Sequence, residues 1–296
     1  MTTMTITRTE PLIQEYLRQN KKFPSVWCPG CGNGVILGCI LRAVRTMGWE
    51  KNKVAMVSGI GCSGRMPVYA DFCTLHTTHG RALAFATGLK LARPELHVIV
   101  IMGDGDAMAI GGNHFIHACR RNIDLTAVVI NNRIYGMTGG QCSPTTPTNR
   151  MSSTSVFGNI DQPFDISALA AAAGAGFVAR STVAHPRELE NLIAQAFEKK
   201  GFAVVEALSN CHTHYGRLNK IGQASDMFKW FKENSAPVNA PDDKKEGKIT
   251  RGLISEKEIK SFLECYEELK KTAASQREDL IEYRKSARSS SAGRRV

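Results

Sequence analysis

The chain has 296 residues, 43% of them apolar, and a formal net charge of +11. That length supports a sizeable core, in one large domain or two small ones. No apolar run approaches the roughly 18 residues needed to span a bilayer, and the stretch MTTMTITRTEPLIQEYL has no signal-peptide core, so the expectation is a soluble, cytoplasmic protein with no membrane role. The basic charge is spread along the chain. With no zinc-finger histidine pair, RNP-like aromatic strand or helix-turn-helix beside it, it reads as a solvated surface and not as a nucleic-acid interface.

Residues 33–48 have helical apolar spacing and stop near Gly48. VAMVS (54–58) reads as a buried strand broken by GIGCSG. A helix over 81–93 ends before Pro94. HVIVIM (97–102) is a strand, 112–121 a helix and 125–130 a strand. Helices over 166–174 and 186–199 alternate with strands over 176–180 and 202–208. Alternation from about residue 33 to 208 predicts an α/β fold with a mostly parallel sheet. In such sheets ligands bind at the carboxyl ends of strands. GIGCSG, GDGDAMAIGG and NNRIYGMTGG each follow an apolar strand, so they should converge on one edge. The loop 136–165 is long, and long loops in compact domains are often functional. The reading divides the chain into an N-terminal segment (1–19), a cofactor domain (20–215) and a C-terminal extension (216–296). The extension holds a linker (235–250), a charged helix (255–286) and a disordered tail, RSSSAGRRV.

GDGDAMAIGG places two carboxylates, Asp104 and Asp106, where a glycine-rich turn would cradle a phosphate. The string departs from a dinucleotide fingerprint, since Met108 holds the third glycine position. A bare carboxylate about 4 Å from a phosphate charge costs roughly 4 kcal/mol at an effective dielectric near 20. A divalent cation between them reverses the sign, and Mg²⁺ commonly binds through one or two carboxylates plus ligand phosphates. Asn132 lies 28 residues after Asp104, one strand–helix–strand unit on, and offers a neutral oxygen ligand at the neighbouring strand end. The bland alternative for either aspartate is a helix cap. For Asp106, a charge at the helix start and a place beside the diphosphate both fit.

Nine cysteines are more than a reducing compartment needs for packing. Cys28 and Cys31 form a C-x-x-C in WCPGCGNG, Cys62 sits in GIGCSG, and Cys211 in SNCHTHYG. A redox dithiol at Cys28 and Cys31 has the following helix it wants but leaves Cys62 and Cys211 idle. A zinc site usually uses two C-x-x-C knuckles, and one is present. A 4Fe–4S cluster accepts dispersed thiolates. Spacing leaves all three open. Cys39 and Cys119 fall on helices and read as core; Cys73, Cys142 and Cys265 stay unassigned. His212 and His214 flank Cys211 in hydrogen-bonding or surface positions, and His114 and His117 read as structural. His76 and His79 lie in a loop before a helix. His79 is an acid/base candidate, and Arg65 could grip a substrate carboxylate.

GDG followed by NN at this spacing resembles the thiamine diphosphate motif. The fuller string GDGDAMAIGGNHFIHACRRNIDLTAVVINNRIYGMTGGQCSPTTP is similar to the beta subunits of 2-oxoacid:ferredoxin oxidoreductases, most of all the 2-oxoglutarate type, over about residues 20–220. The resemblance implies a thiamine diphosphate fold with Mg²⁺ bound by Asp104, the Asn132 side chain and the Ile134 carbonyl. It implies that Gly103, Gly105, Asp106 and Gly136 shape the diphosphate site, and that Cys28, Cys31, Cys62 and Cys211 hold a 4Fe–4S cluster. The implied reaction is oxidative decarboxylation of a 2-oxoacid with coenzyme A, reversible, with electrons passing through the cluster to ferredoxin. The glutamate that activates the coenzyme comes, in that family, from an alpha subunit. The expected assembly is therefore a heterodimer or a dimer of heterodimers.

Overall fold

The computed structural model describes residues 15–20 and 25–292. Residues 1–14, 21–24 and 293–296 lie outside the described residues, and with them most of the 1–19 segment and the end of the RSSSAGRRV tail. In chain order the elements are α1 (Asn33–Thr46), β1 (Val54–Ser58), β2 (Cys73–His76), α2 (Ala82–Ala92), β3 (His97–Gly103), α3 (Gly112–Arg121) and β4 (Leu125–Asn131). Then follow α4 (Ile166–Ala172), β5 (Phe177–Thr182), α5 (Pro186–Glu198), β6 (Phe202–Leu208), α6 (Ala224–Glu233), β7 (Ser235–Pro237), α7 (Asp242–Lys245), β8 (Ile249–Glu256) and α8 (Phe262–Ala292). The eight strands form one sheet in the order β2-β1-β3-β4-β6-β5-β8-β7. Every pairing is parallel except β5 with β8.

The central strands are apolar on both faces because both faces are covered, as parallel sheets require. Alternate residues of β3 separate cleanly. Ile99 and Ile101 pack under α1 and α5, with Ile36, Ile40, Leu189 and Ile193. Val98, Val100 and Met102 pack under α2, α3 and α4, with Leu83, Phe115 and Ile166. The chain leaves β1 toward β2 on one side and toward β3 on the other. The reversal between β1 and β3 opens the crevice in which ligands of such sheets sit.

Three segments differ from the sequence reading. His76, read in a loop before a helix, instead ends the short edge strand β2; three of that strand's four residues are exposed, and no apolar run marks it. The 235–250 linker instead carries β7, α7 and the start of β8, which adds antiparallel to β5. Its strand character is hidden by half-burial and by a register shift where Val178 and Ala179 face Ser255 and Leu253, a bulge that leaves Ile254 as the extra residue. The charged helix begins at Phe262 and not at 255. It runs to Ala292. No helix among the described residues is long and apolar enough to cross a membrane.

Phe202 is fully buried, with its ring edge-on to Phe115 at 6.3 Å. Phe202→Ala should lower stability by about 3–5 kcal/mol, read as a reduced urea midpoint. An unchanged midpoint would contradict this packing.

Candidate active site

The loops after β1, β3 and β4 meet at the crevice and enclose a cavity of about 110 Å³. Its lining includes Ile60, Cys62, Ser63, His79, Gly103, Asp104, Gly105, Asp106, Asn132, Ile134, Tyr135 and Gly136. Sequence-derived candidates from positions 62 to 136 are thus brought into one place, with one exception. Arg65 is exposed on the 3-10 turn Ser63–Val68 and does not line the cavity; its charge acts on Cys62 instead.

Asp104 is buried at 3% exposure. Burial pushes its carboxyl above the ordinary carboxylate range, while the Ser143 and Thr145 hydroxyls and the Asp104 and Gly105 amides pull it back. Ser143 Oγ and Thr145 Oγ1 each donate to Asp104 Oδ2 at 2.6 Å. Of the asparagine pair, Asn132 lines the cavity. Asn131 is instead fixed by neighbours: its Nδ2 donates to Glu206 Oε1 at 2.8 Å, and its Oδ1 accepts from the Arg133 amide at 3.1 Å. Asn132 Oδ1 accepts from the Ile134 amide at 3.3 Å. Arg133 between them takes a left-handed φ of 63°, which turns the chain so that successive side chains part company.

Asp106 has a different place. Its Oδ1 accepts from the Gly80 amide at 2.6 Å, from Ile60 at 3.4 Å and from His79 Nδ1. It therefore ties the loops after β1 and β2 to the turn after β3. Its Oδ2 is buried and has no hydrogen-bond partner. Two glycines make the room. A Cβ on Gly59 would lie 1.8 Å from Asp106 Oδ2, and one on Gly105 would lie 2.1 Å from the Tyr135 ring. The Tyr135 hydroxyl donates to the Gly105 carbonyl at 3.2 Å, and its ring stands edge-on to His79 at 6.2 Å.

Cys28, Cys31, Cys62 and Cys211 are free thiols, and every pair of them interacts electrostatically. A methyl group on Gly136 would lie 3.4 Å from Cys211 Sγ and 4.0 Å from Cys62 Sγ. The Asn33 amide donates to the Cys31 sulfur, and the His214 and Tyr215 amides to Cys211. Burial pushes the Cys31 thiol up to about 12 and raises Cys62 and Cys211 as well. A nucleophilic dithiol needs the opposite shift. Among the described residues no three His, Cys, Asp or Glu side chains close around a single ion. His212 Nδ1 is buried without a partner, and His214 packs on Gly140. Cys39 and Cys119 are buried in the core; Cys73 and Cys265 are exposed.

The thiamine pyrophosphate enzyme C-terminal TPP-binding domain family matches residues 59–207. The chain is 59% identical over 220 residues to the 2-oxoglutarate synthase subunit KorB of Archaeoglobus fulgidus, covering 74% of this chain and 80% of that one. It is 50% identical over 254 residues to subunit KorB of Methanocaldococcus jannaschii, covering 84% and 94%. The chain belongs to the beta subunits of the 2-oxoacid:ferredoxin oxidoreductases. A solved 2-oxoglutarate:ferredoxin oxidoreductase from Magnetococcus marinus, with 2-oxoglutarate, coenzyme A and succinyl-CoA bound, superposes with a TM-score of 0.80 at 34% identity, over 88% of this chain and 90% of that one. As a beta subunit of this family, the chain is one part of a multi-subunit oxidoreductase that uses thiamine diphosphate.

Sequence reading missed Ser143, Thr145 and Tyr135. The signal available was the hydroxyl-rich QCSPTTP within the long loop, but nothing local says which strand end those hydroxyls reach. Gly59→Ala should push the Asp106 carboxylate off the Gly80 amide and His79. The expected result is thiamine diphosphate binding weakened at least about tenfold, the loss of one charge-assisted bond. Calorimetric titration checks it, and unchanged affinity would show that the close approach is relieved elsewhere.

Proposed function

We propose that this chain supplies the diphosphate-and-metal half of the active site, together with the first electron acceptor, in an enzyme that converts 2-oxoglutarate and coenzyme A to succinyl-CoA and CO₂, reversibly, and delivers electrons to ferredoxin. The observation that carries this reading is the junction at Gly136, which lines the cofactor cavity and also abuts the Cys62 and Cys211 sulfurs. A non-redox thiamine enzyme has no use for four clustered thiols beside its coenzyme. The names of the relatives and the ligands of the Magnetococcus marinus enzyme support 2-oxoglutarate and coenzyme A as substrates.

The donor set fits the proposed groups. Asp104, the Asn132 side chain and the Ile134 carbonyl are hard oxygen donors suited to Mg²⁺. Gly103, Gly105 and Gly136 leave room beside them for a diphosphate. Cys28, Cys31, Cys62 and Cys211 are four thiols in mutual electrostatic range but not gathered about one ion, as a 4Fe–4S cluster requires and a single zinc ion does not. Bound thiamine diphosphate would stabilise the carbanion left when a 2-oxoacid loses CO₂, and the cluster would take up electrons singly. His79 has Nδ1 tied to Asp106, so a proton exchanged with substrate passes at Nε2. The partners are an alpha subunit and ferredoxin, the assembly a heterodimer or a dimer of heterodimers, and the setting the cytoplasm.

Anaerobically purified enzyme should hold about four irons and four acid-labile sulfides in this subunit, and Cys211→Ser should lose them. Iron-free protein with the thiamine site filled would refute the redox role. Asp104→Ala should abolish retention of thiamine diphosphate and leave the iron in place. The enzyme assembled with its alpha subunit should reduce a viologen dye faster with 2-oxoglutarate than with pyruvate; the reverse order would refute the substrate.

A further inference from the structure

A buried polar chain runs from the edge of the cavity into the sheet. Ser143, Thr145, Asn131 and Glu206 are all buried. Each hydroxyl has one proton to give, and a carboxylate only accepts. The two short contacts to Asp104 Oδ2 therefore take the protons of both Ser143 and Thr145. No side chain among the described residues donates to Asp104 Oδ1. Behind Thr145, Asn131 Oδ1 lies 3.0 Å away, and Asn131 Nδ2 donates to Glu206 Oε1 at 2.8 Å. Glu206 Oε2 accepts from Arg180 Nε at 2.8 Å and Ser167 Oγ at 2.7 Å. Since Glu206 cannot donate while ionised, it dictates which way round the Asn131 amide stands. The loop is latched a second time, where Thr146 Oγ1 donates to the Arg133 carbonyl at 2.7 Å.

We propose that Ser143 and Thr145 are positioning residues that aim Asp104 at its metal ion. The proposal rests on Asp104 being a magnesium ligand. Groups that orient a ligand from behind typically contribute ten- to a hundredfold in metal affinity. The clamp grips one carboxylate oxygen and leaves the other free of side-chain donors among the described residues. It comes from a loop remote in sequence that Thr146 latches to the Arg133 carbonyl.

The test uses the assembled enzyme, stripped with EDTA, and follows quenching of tryptophan fluorescence as Mg²⁺ is titrated at fixed thiamine diphosphate. Ser143→Ala and Thr145→Val should each raise the Mg²⁺ half-saturation about tenfold, and the pair about a hundredfold. Thr145→Ser, which keeps the hydroxyl, should restore it. The melting temperature of the EDTA-stripped protein should stay near that of the wild type for the two hydroxyl variants. Unchanged half-saturation in Ser143→Ala and Thr145→Val overturns the proposal, as does weakening that Thr145→Ser fails to rescue. An Asp104→Ala control that still binds magnesium and thiamine diphosphate normally overturns the metal reading itself, so the two failures are told apart.

Discussion

A carboxylate held almost out of water at the end of a parallel strand is the constraint around which this site is built. Asp104 cannot remain ionised there without compensation, because burial disfavours its charge. The fold supplies two hydroxyls from a distant loop and two amides from the turn. These donors satisfy lone pairs but leave the negative charge in place. A divalent cation would complete the compensation, and a diphosphate would complete the cation's shell. Asp106, two residues on, is equally buried and does different work. It spends one oxygen on three donors from other loops and so fixes the walls of the cavity.

The second constraint is the closeness of two sites that differ in chemistry. Gly136 has the cofactor cavity on one side and two sulfurs on the other. A methyl group there would meet both sulfurs and the Asn132 amide at van der Waals distance. The amides that reach Cys31 and Cys211 lie in the turn opening α1 and in the π-turn His212–Gly216. Amides directed at sulfur stabilise added negative charge, which makes a cluster easier to reduce. On the proposed function, the same turns that position the thiols would also favour an electron arriving from the cavity.

Much of this was legible in the sequence where local pattern and tertiary role coincide. The apolar runs HVIVIM and LTAVVI are buried on both faces, so their character survives any detail of packing. Asp104, Asn132 and the four cysteines stand at strand ends or element boundaries, where alternation alone places them near one edge. What stayed hidden depends on long-range pairing. β2 is an exposed edge strand and β8 a half-buried strand next to the other edge, and their residues carry no periodic signal of the partner strand. The hydroxyls of Ser143 and Thr145 reach Asp104 across about 40 residues of chain, a contact that sequence spacing does not encode. Arg65 shows the converse. Three residues from Cys62 it looked close to the chemistry, but a single 3-10 turn directs it outward.

The shape of the cavity bears on why a second subunit is needed. Pockets that enclose a whole cofactor or drug-sized ligand usually measure about 300–1,000 Å³. This one is about 110 Å³, and Ile60 and Met137, which line it, are 38% and 42% exposed. Apolar side chains at a half-open rim lower the free energy only when another surface covers them. The polar floor, with Asp104 and Asn132, suits the charged end of the coenzyme, and no carboxylate besides Asp104 and Asp106 lines it. Both of those are already engaged by hydrogen bonds on this chain. On the proposed function, a carboxylate that activates the organic end of the coenzyme would come from the covering surface, which would make closure of the rim and completion of the chemistry the same event.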